Sequence, residues 1–227
     1  MTLDSGENPR TIPLFPLENV VLLPRVQVPL HIFEERYRQM TRAALSGEGL
    51  IGMAVVKPDQ AAAMSGNPDV FAIGCEGHIE QSEELESGRF NIVLTGTTRF
   101  RIISEDPTTS DRLFREAVVQ PIVDLMPETD GAQTISLRGE VHELMRKLLK
   151  EVAPGRLDTF DQQPFAKLDD ERFVNSFAQS IDFDPFEKQG LLESNSIVER
   201  YERLAGLLRF RLAELASKGQ PGPSRIH

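Results

Sequence analysis

Four histidines, one cysteine and several carboxylate doublets are the residues of this 227-residue chain whose types could do chemistry. Their spacing organises little of it. His31, His78, His142 and His227 lie far apart, and no HExxH or CxxC pair is present to hold zinc. His142-Glu143 opens like a zincin motif, but Arg146 stands where the second histidine belongs, so a solvated histidine on a helix face is expected. His31 sits between an extended segment and a helix. No Ser or Cys nucleophile with an orienting carboxylate is assignable to it from spacing, which leaves a structural hydrogen bond as its expected role. Cys75 lies in FAIGCEGHIE with His78 three residues on, on the opposite face of a strand; a buried structural thiol is expected rather than a reactive one.

The doublets Glu34-Glu35, Glu83-Glu84 and Asp169-Asp170 invite an acid/base reading, yet adjacent side chains point apart on a helix or strand. Glu34, Glu35, Asp169 and Asp170 also stand at expected helix starts, where negative charge favours the macrodipole. No GxxxxGK[ST] phosphate loop occurs, nor any Gly-Lys dipeptide. The expectation is a chain with no catalytic residue, no metal and no cofactor. Basic and aromatic residues interleave at Arg36-Tyr37-Arg38 and Arg99-Phe100-Arg101, a pattern some RNA binders share. Here the formal charge is -10. Positions 11–126 hold 10 Lys and Arg against 16 Asp and Glu, and positions 127–217 hold 12 against 17. Without a basic stripe to displace counterions, no nucleic-acid partner is expected, and Arg36 and Arg99 are read as ion pairs tying a helix to a sheet.

These residues must be positioned by a chain that changes period twice. In IPLFPLENVVLLPRVQVPLHIFEERYRQMTRAAL (residues 12–45), Pro13, Pro16, Pro24 and Pro29 each fix φ and remove a donor, so short strands should end or bend there. From Phe33 the apolar residues Phe33, Tyr37, Met40, Ala44 and Leu45 fall on one helical stripe. Strands are expected at 11–14, 26–33, 50–56, 70–81, 89–104 and 112–123. The long pair should form a hairpin turning near Ser87-Gly88, with Gly74, Gly77 and Gly96 marking bulges or close backbone approach. The run PDQAAAMSGNPD after Lys57 reads as an exposed loop. After Pro127 the period becomes helical. One helix runs to Val152 with Asp130 as its cap, another carries Phe173, Val174, Phe177 and Ile181, and a short one is capped by Asp184 with Pro185 first inside. The last begins at a Ser196/Glu199 capping box. The expected domains are a tail at 1–10, a strand-rich half with one helix at 11–126, a helical bundle at 127–217 and a tail at 218–227.

With 40% hydrophobic residues the chain can fill a sizeable core. No apolar run approaches the roughly 20 residues of a membrane span and no secretory signal is visible, so a cytoplasmic location without membrane contact is the default.

Several blocks resemble the substrate-binding N-terminal domain of Lon proteases in a free-standing bacterial form. They are PLFPL (13–17), VVLLP (20–24), PLHIFEERYRQM (29–40), DVFAIGCEGHIEQ (69–81), GRFNIVLTGTTRFRI (88–102) and, more weakly, KQGLLESNSIVERYERLAGLL (188–208). The resemblance implies an α+β fold, a PUA-like β-barrel followed by a C-terminal helical bundle, and a non-enzymatic module that binds a polypeptide or protein partner. The alternative is a PUA-like module for a small ligand or RNA. A curved sheet beside a bundle would leave a cleft, and Phe33, Tyr37 and Phe100 are the candidates for its binding rim.

Overall fold

The computed structural model describes residues 8–58, 66–124 and 131–218. Asp130 and most of the loop after Lys57 lie outside the described residues. Six strands form one mixed sheet: β1 (Arg10–Leu17), β2 (Gln27–Ile32), β3 (Leu50–Val55), β4 (Ile73–Glu84), β5 (Phe90–Asp106) and β6 (Arg115–Ile122). Their order is β2-β5-β4-β3-β1-β6, and β6 returns to pair with β5. The pairings among β5, β4, β3, β1 and β6 therefore close into a ring. The length of β5 makes this possible, since its Phe90–Thr95 stretch faces β2 while Arg99–Asp106 faces β6. Only β1 and β3 run parallel. β2 stands at the end of the order, paired with β5 alone.

β1 is longer than its prolines led one to expect, and it runs through both Pro13 and Pro16. Residues 10–14 pair with β6 and residues 14–17 with β3, so each proline sits on a stretch laddered on one side only, where a missing N–H can face the open side. The glycines behave as their positions suggested. The β4–β5 ladder shifts register between Cys75 and Gly77 and again between Ile79 and Gln81. A side chain at Gly74 would meet the carbonyl oxygen of Met53 at 2.5 Å. The hairpin turns at Gly88, whose φ of 71° suits glycine.

Helix α1 (Glu35–Ser46) buries Tyr37, Met40, Thr41 and Ala44, each large apolar side chain contributing about 1.5–3 kcal/mol before entropy is charged. Phe33 and Leu45 drop off the expected stripe: Phe33 precedes the helix, and both are exposed. The role expected of Arg36 passes to its neighbours. Arg36 pairs with Glu34 at 2.8 Å at the helix's own start, whereas Arg38 Nε donates to Gly88 O at 2.7 Å and Arg42 pairs with Glu84 at 2.8 Å, fastening α1 to the β4–β5 hairpin.

The remainder is helical: α2 (Gly131–Val152), α3 (Leu157–Asp161), α4 (Asp170–Ser180), α5 (Pro185–Leu192) and α6 (Ile197–Lys218). The described residues fall into two compact units, one within Met1–Asp124 and Asn175–Glu193, the other within Leu125–Val174 and Ser194–His227. The sequence suggested one boundary near Pro127. Instead the segment holding α5 belongs with the strands, and its polar side chains give the reason. Asn175 Nδ2 donates to Pro24 O at 3.0 Å and Gln189 Nε2 to Ile73 O at 3.0 Å, while Arg99 Nη1 donates to Leu192 O at 2.8 Å. Such buried bonds are costly to leave unmade, so the segment stays with the sheet. In the other unit α2 and α6 run side by side in the same direction, with Gln133 donating to Glu202 at 3.1 Å and Arg209 paired with Glu140. Val141, Leu144 and Leu148 of α2 and Leu204 and Leu208 of α6 are among the residues buried there.

The caps follow the sequence with one twist. Asp184 Oδ1 accepts from Phe186 N at 2.8 Å, and Glu187 returns the favour to Asp184 N at 2.8 Å. Ser196 Oγ accepts from Glu199 N at 3.1 Å, but the Glu199 carboxylate reaches back to Asn195 N at 2.8 Å instead of to Ser196. No helix among the described residues is long and apolar enough to cross a membrane.

Candidate functional site

Strand β2 ends the sheet with exposed Gln27, Pro29 and His31 on one face, because side chains alternate along a strand. Their partners on β5 are Thr95, Val93 and Asn91. On β4, Gln81 continues the row of Val93 and Glu83 the row of Asn91. Between these rows lies an open groove of about 460 Å³, lined by residues 29–31, 81–83 and 91–93, and it lies wholly within the strand-rich unit.

A chain of hydrogen bonds crosses it. Asn91 Nδ2 donates to Glu83 Oε2 at 3.1 Å, and Asn91 Oδ1 lies 2.8 Å from His31 Nδ1. With its amide nitrogen committed to Glu83, Asn91 presents its oxygen to His31, so Nδ1 is the donor of that bond. This is the structural hydrogen bond expected of His31. The groove's only hydroxyl, Ser82, pairs in register with Ile92 and so belongs to the opposite face of the pleat from His31, which sets up no Ser–His pair. Beyond His31 the Phe33 ring stands 58% exposed, its centroid 6.2 Å from the imidazole and tilted by 24°.

The structure does not bring the three candidate rim residues together. Phe33 faces solvent. Tyr37 is 5% exposed, its ring 4.4 Å from that of Phe15 and its hydroxyl donating to Pro16 O at 3.5 Å. Burial pushes its phenol up to about 12, with the neighbouring Arg36 guanidinium opposing and Glu34 adding to the rise. Phe100 is 1% exposed, in the core cluster with Leu14 and Val119. Sequence reasoning missed Pro29, Glu83, Asn91 and Val93. The signal available was the alternation 27, 29, 31, 33 along an edge strand, but their partners depend on a pairing register that one sequence does not display.

Other titratable groups are occupied structurally. Cys75 is buried. His142 stacks on Phe160 at 5.1 Å and meets Phe165 edge-on at 5.7 Å, packed against rings where a solvated side chain was expected. Tyr201 donates to Asp170 at 3.0 Å, beside an Arg138–Asp170 pair at 2.8 Å; burial, aided by the Asp170 carboxylate, pushes its phenol well up. A hydrogen bond from Arg146 holds the Asp161 carboxyl below its usual range. Among the described residues no three His, Cys, Asp or Glu side chains gather to hold a metal ion.

The family model described as the ATP-dependent protease La (LON) substrate-binding domain matches residues 11–209. The chain is similar to the Lon protease of Cytophaga hutchinsonii, 27% identical over 207 residues, covering 91% of this chain and 25% of that protein. It is also similar to the Lon protease of Chloroflexus aurantiacus, 28% identical over 212 residues, covering 92% and 24%. The chain thus spans about a quarter of the length of the curated relatives it matches. Two solved structures share its fold. The N-terminal domain of Mycobacterium avium complex Lon protease has a TM-score of 0.67 at 17% identity, with 88% of this chain and 98% of that one covered. A Lon N-terminal domain protein from Xanthomonas campestris has a TM-score of 0.56 at 22% identity, with 87% and 98% covered.

Proposed function

The chain belongs to the LON substrate-binding domain family, and on that premise we propose that it is a non-catalytic cytoplasmic module that holds polypeptide segments or docks on a partner protein. Its closed ring of pairings is read as a PUA-like barrel. The observation that carries the binding role is the open groove across β2, β5 and β4 with Phe33 exposed at its end. An extended segment lying there would find apolar surface on Pro29, Val93 and the Phe33 ring, with polar groups between them, the usual make-up of a peptide site. Phe33 is the contact residue in this reading. Tyr37 and Phe100 serve it from within, seating α1 and β5 against the core.

A broad array of unfolded peptides tests the reading. Apolar and aromatic segments are expected to be retained, and Phe33→Ser is expected to lower their affinity about tenfold, the equivalent of about 1.4 kcal/mol. Retention of uncharged apolar segments should change little with salt. An array that retains nothing, or RNA binding that falls steeply as salt rises, would argue against a polypeptide site and for a different ligand.

A further inference from the structure

The groove's lining holds one charged side chain, the carboxylate of Glu83. Asn91 Nδ2 donates to Glu83 Oε2 and Asn91 Oδ1 accepts from His31, so the row is held in place around a carboxylate that keeps its second oxygen, Oε1, for a ligand. No Lys or Arg lines the groove, and no cation among the described residues pairs with Glu83. Its neighbours differ: Glu84 is held by Arg42 at 2.8 Å and Glu76 by Arg10 at 2.7 Å. One row over on the same face, Pro29 and Val93 pair in register and offer apolar surface beside the carboxylate. We infer that the groove receives the side chain of a lysine or arginine, so that the segments this protein binds carry a basic residue next to an apolar or aromatic one.

The fit is chemical. Ammonium and guanidinium groups are donors only, which matches the Glu83 carboxylate, and their methylene stems pack on apolar surface while the head stays in water. Glu83 supplies the opposite charge, and the net charge of -10 draws basic segments in at longer range. Phe33, stacked beside His31, is placed for the adjacent apolar residue. An acidic segment would meet Glu83 with like charge and find no Lys or Arg in the groove to pair with.

This inference rests on the polypeptide-binding reading, and one experiment separates the two. A fluorescent peptide with a fixed apolar core is made in three forms, flanked by Lys, Gln or Glu, and titrated with the intact protein at low and high salt. The Lys form is expected to bind about three- to fivefold more tightly than the Gln form, the range of an exposed ion pair, and the Glu form more weakly than either. Glu83→Gln is expected to bring the Lys form down to the Gln form, while Glu86→Gln, an exposed carboxylate in the neighbouring turn, keeps the preference. Equal binding of the three forms, or equal loss of the preference in both variants, overturns the inference and leaves the polypeptide reading standing. Binding of none of them overturns both.

Discussion

Gly96→Ala is expected to destabilise the strand-rich unit by ~3 kcal/mol, the upper part of the range for overpacking, and to lower the melting temperature by about 6–12 °C. A methyl group at Gly96 would point into the carbonyl of Leu23, closer to its oxygen than real carbons come, and would stand 2.9 Å from its carbon and 3.2 Å from Pro24 Cα. What it meets is backbone, and that backbone is held. Arg25 N donates to Gly96 O and Gly96 N to Val26 O, both at 2.8 Å, and Asn175 Nδ2 holds Pro24 O at 3.0 Å. Arg25 already takes a φ of 64°, so the turn has little freedom to move away. The same substitution elsewhere serves as control. Gly139 in α2 and Gly206 in α6 have nothing within 4 Å of an added methyl, and alanine there is expected to stabilise by up to about 1 kcal/mol through helix propensity. Thermal melts of the three variants check the contrast. A neutral Gly96→Ala would mean that β5 does not press against the turn as described.

Arg99→Met is expected to cost about 3–5 kcal/mol, since it strips one partner from a desolvated pair. The Arg99 and Asp124 side chains are 3% and 9% exposed and pair directly, and Arg99 Nη1 also donates to Leu192 O. Removing the guanidinium leaves a carboxylate and a carbonyl in low dielectric with their main donor gone, which costs more than the pair contributes. The double variant Arg99→Met with Asp124→Leu is therefore expected to recover more than half of the loss, because replacing both members of a buried pair by apolar groups is often nearly neutral. Chemical denaturation of the two variants reads this directly. A single variant as stable as the parent would mean that the pair is solvated in solution.

Much of the architecture was legible because it depends on local signals. Gly74, Gly77 and Gly96 in apolar strands announced close approach, Asp184-Pro185 announced a helix start, and the period change near Phe33 announced α1. The misplacements share a cause. The segment carrying α5 reads as helix in either unit, and what assigns it to the strands is long-range bonding by Asn175, Gln189 and Arg99 across 151, 116 and 93 residues of sequence. Phe33, Tyr37 and Phe100 are all large aromatics, and nothing local tells an exposed ring from a core ring. The groove was invisible for the same reason: Asn91 and Glu83 look like ordinary strand-edge polar residues until register sets them beside His31.

Hydrogen exchange across the chain, with and without a retained apolar peptide, tests the central claim that polypeptide binds at the β2–β5–β4 face. Saturating peptide is expected to slow amide exchange in residues 27–33 and 81–94 and to leave α2 and α6 unchanged. Slowing confined to α2 and α6, or no slowing anywhere while the peptide remains bound, would contradict it.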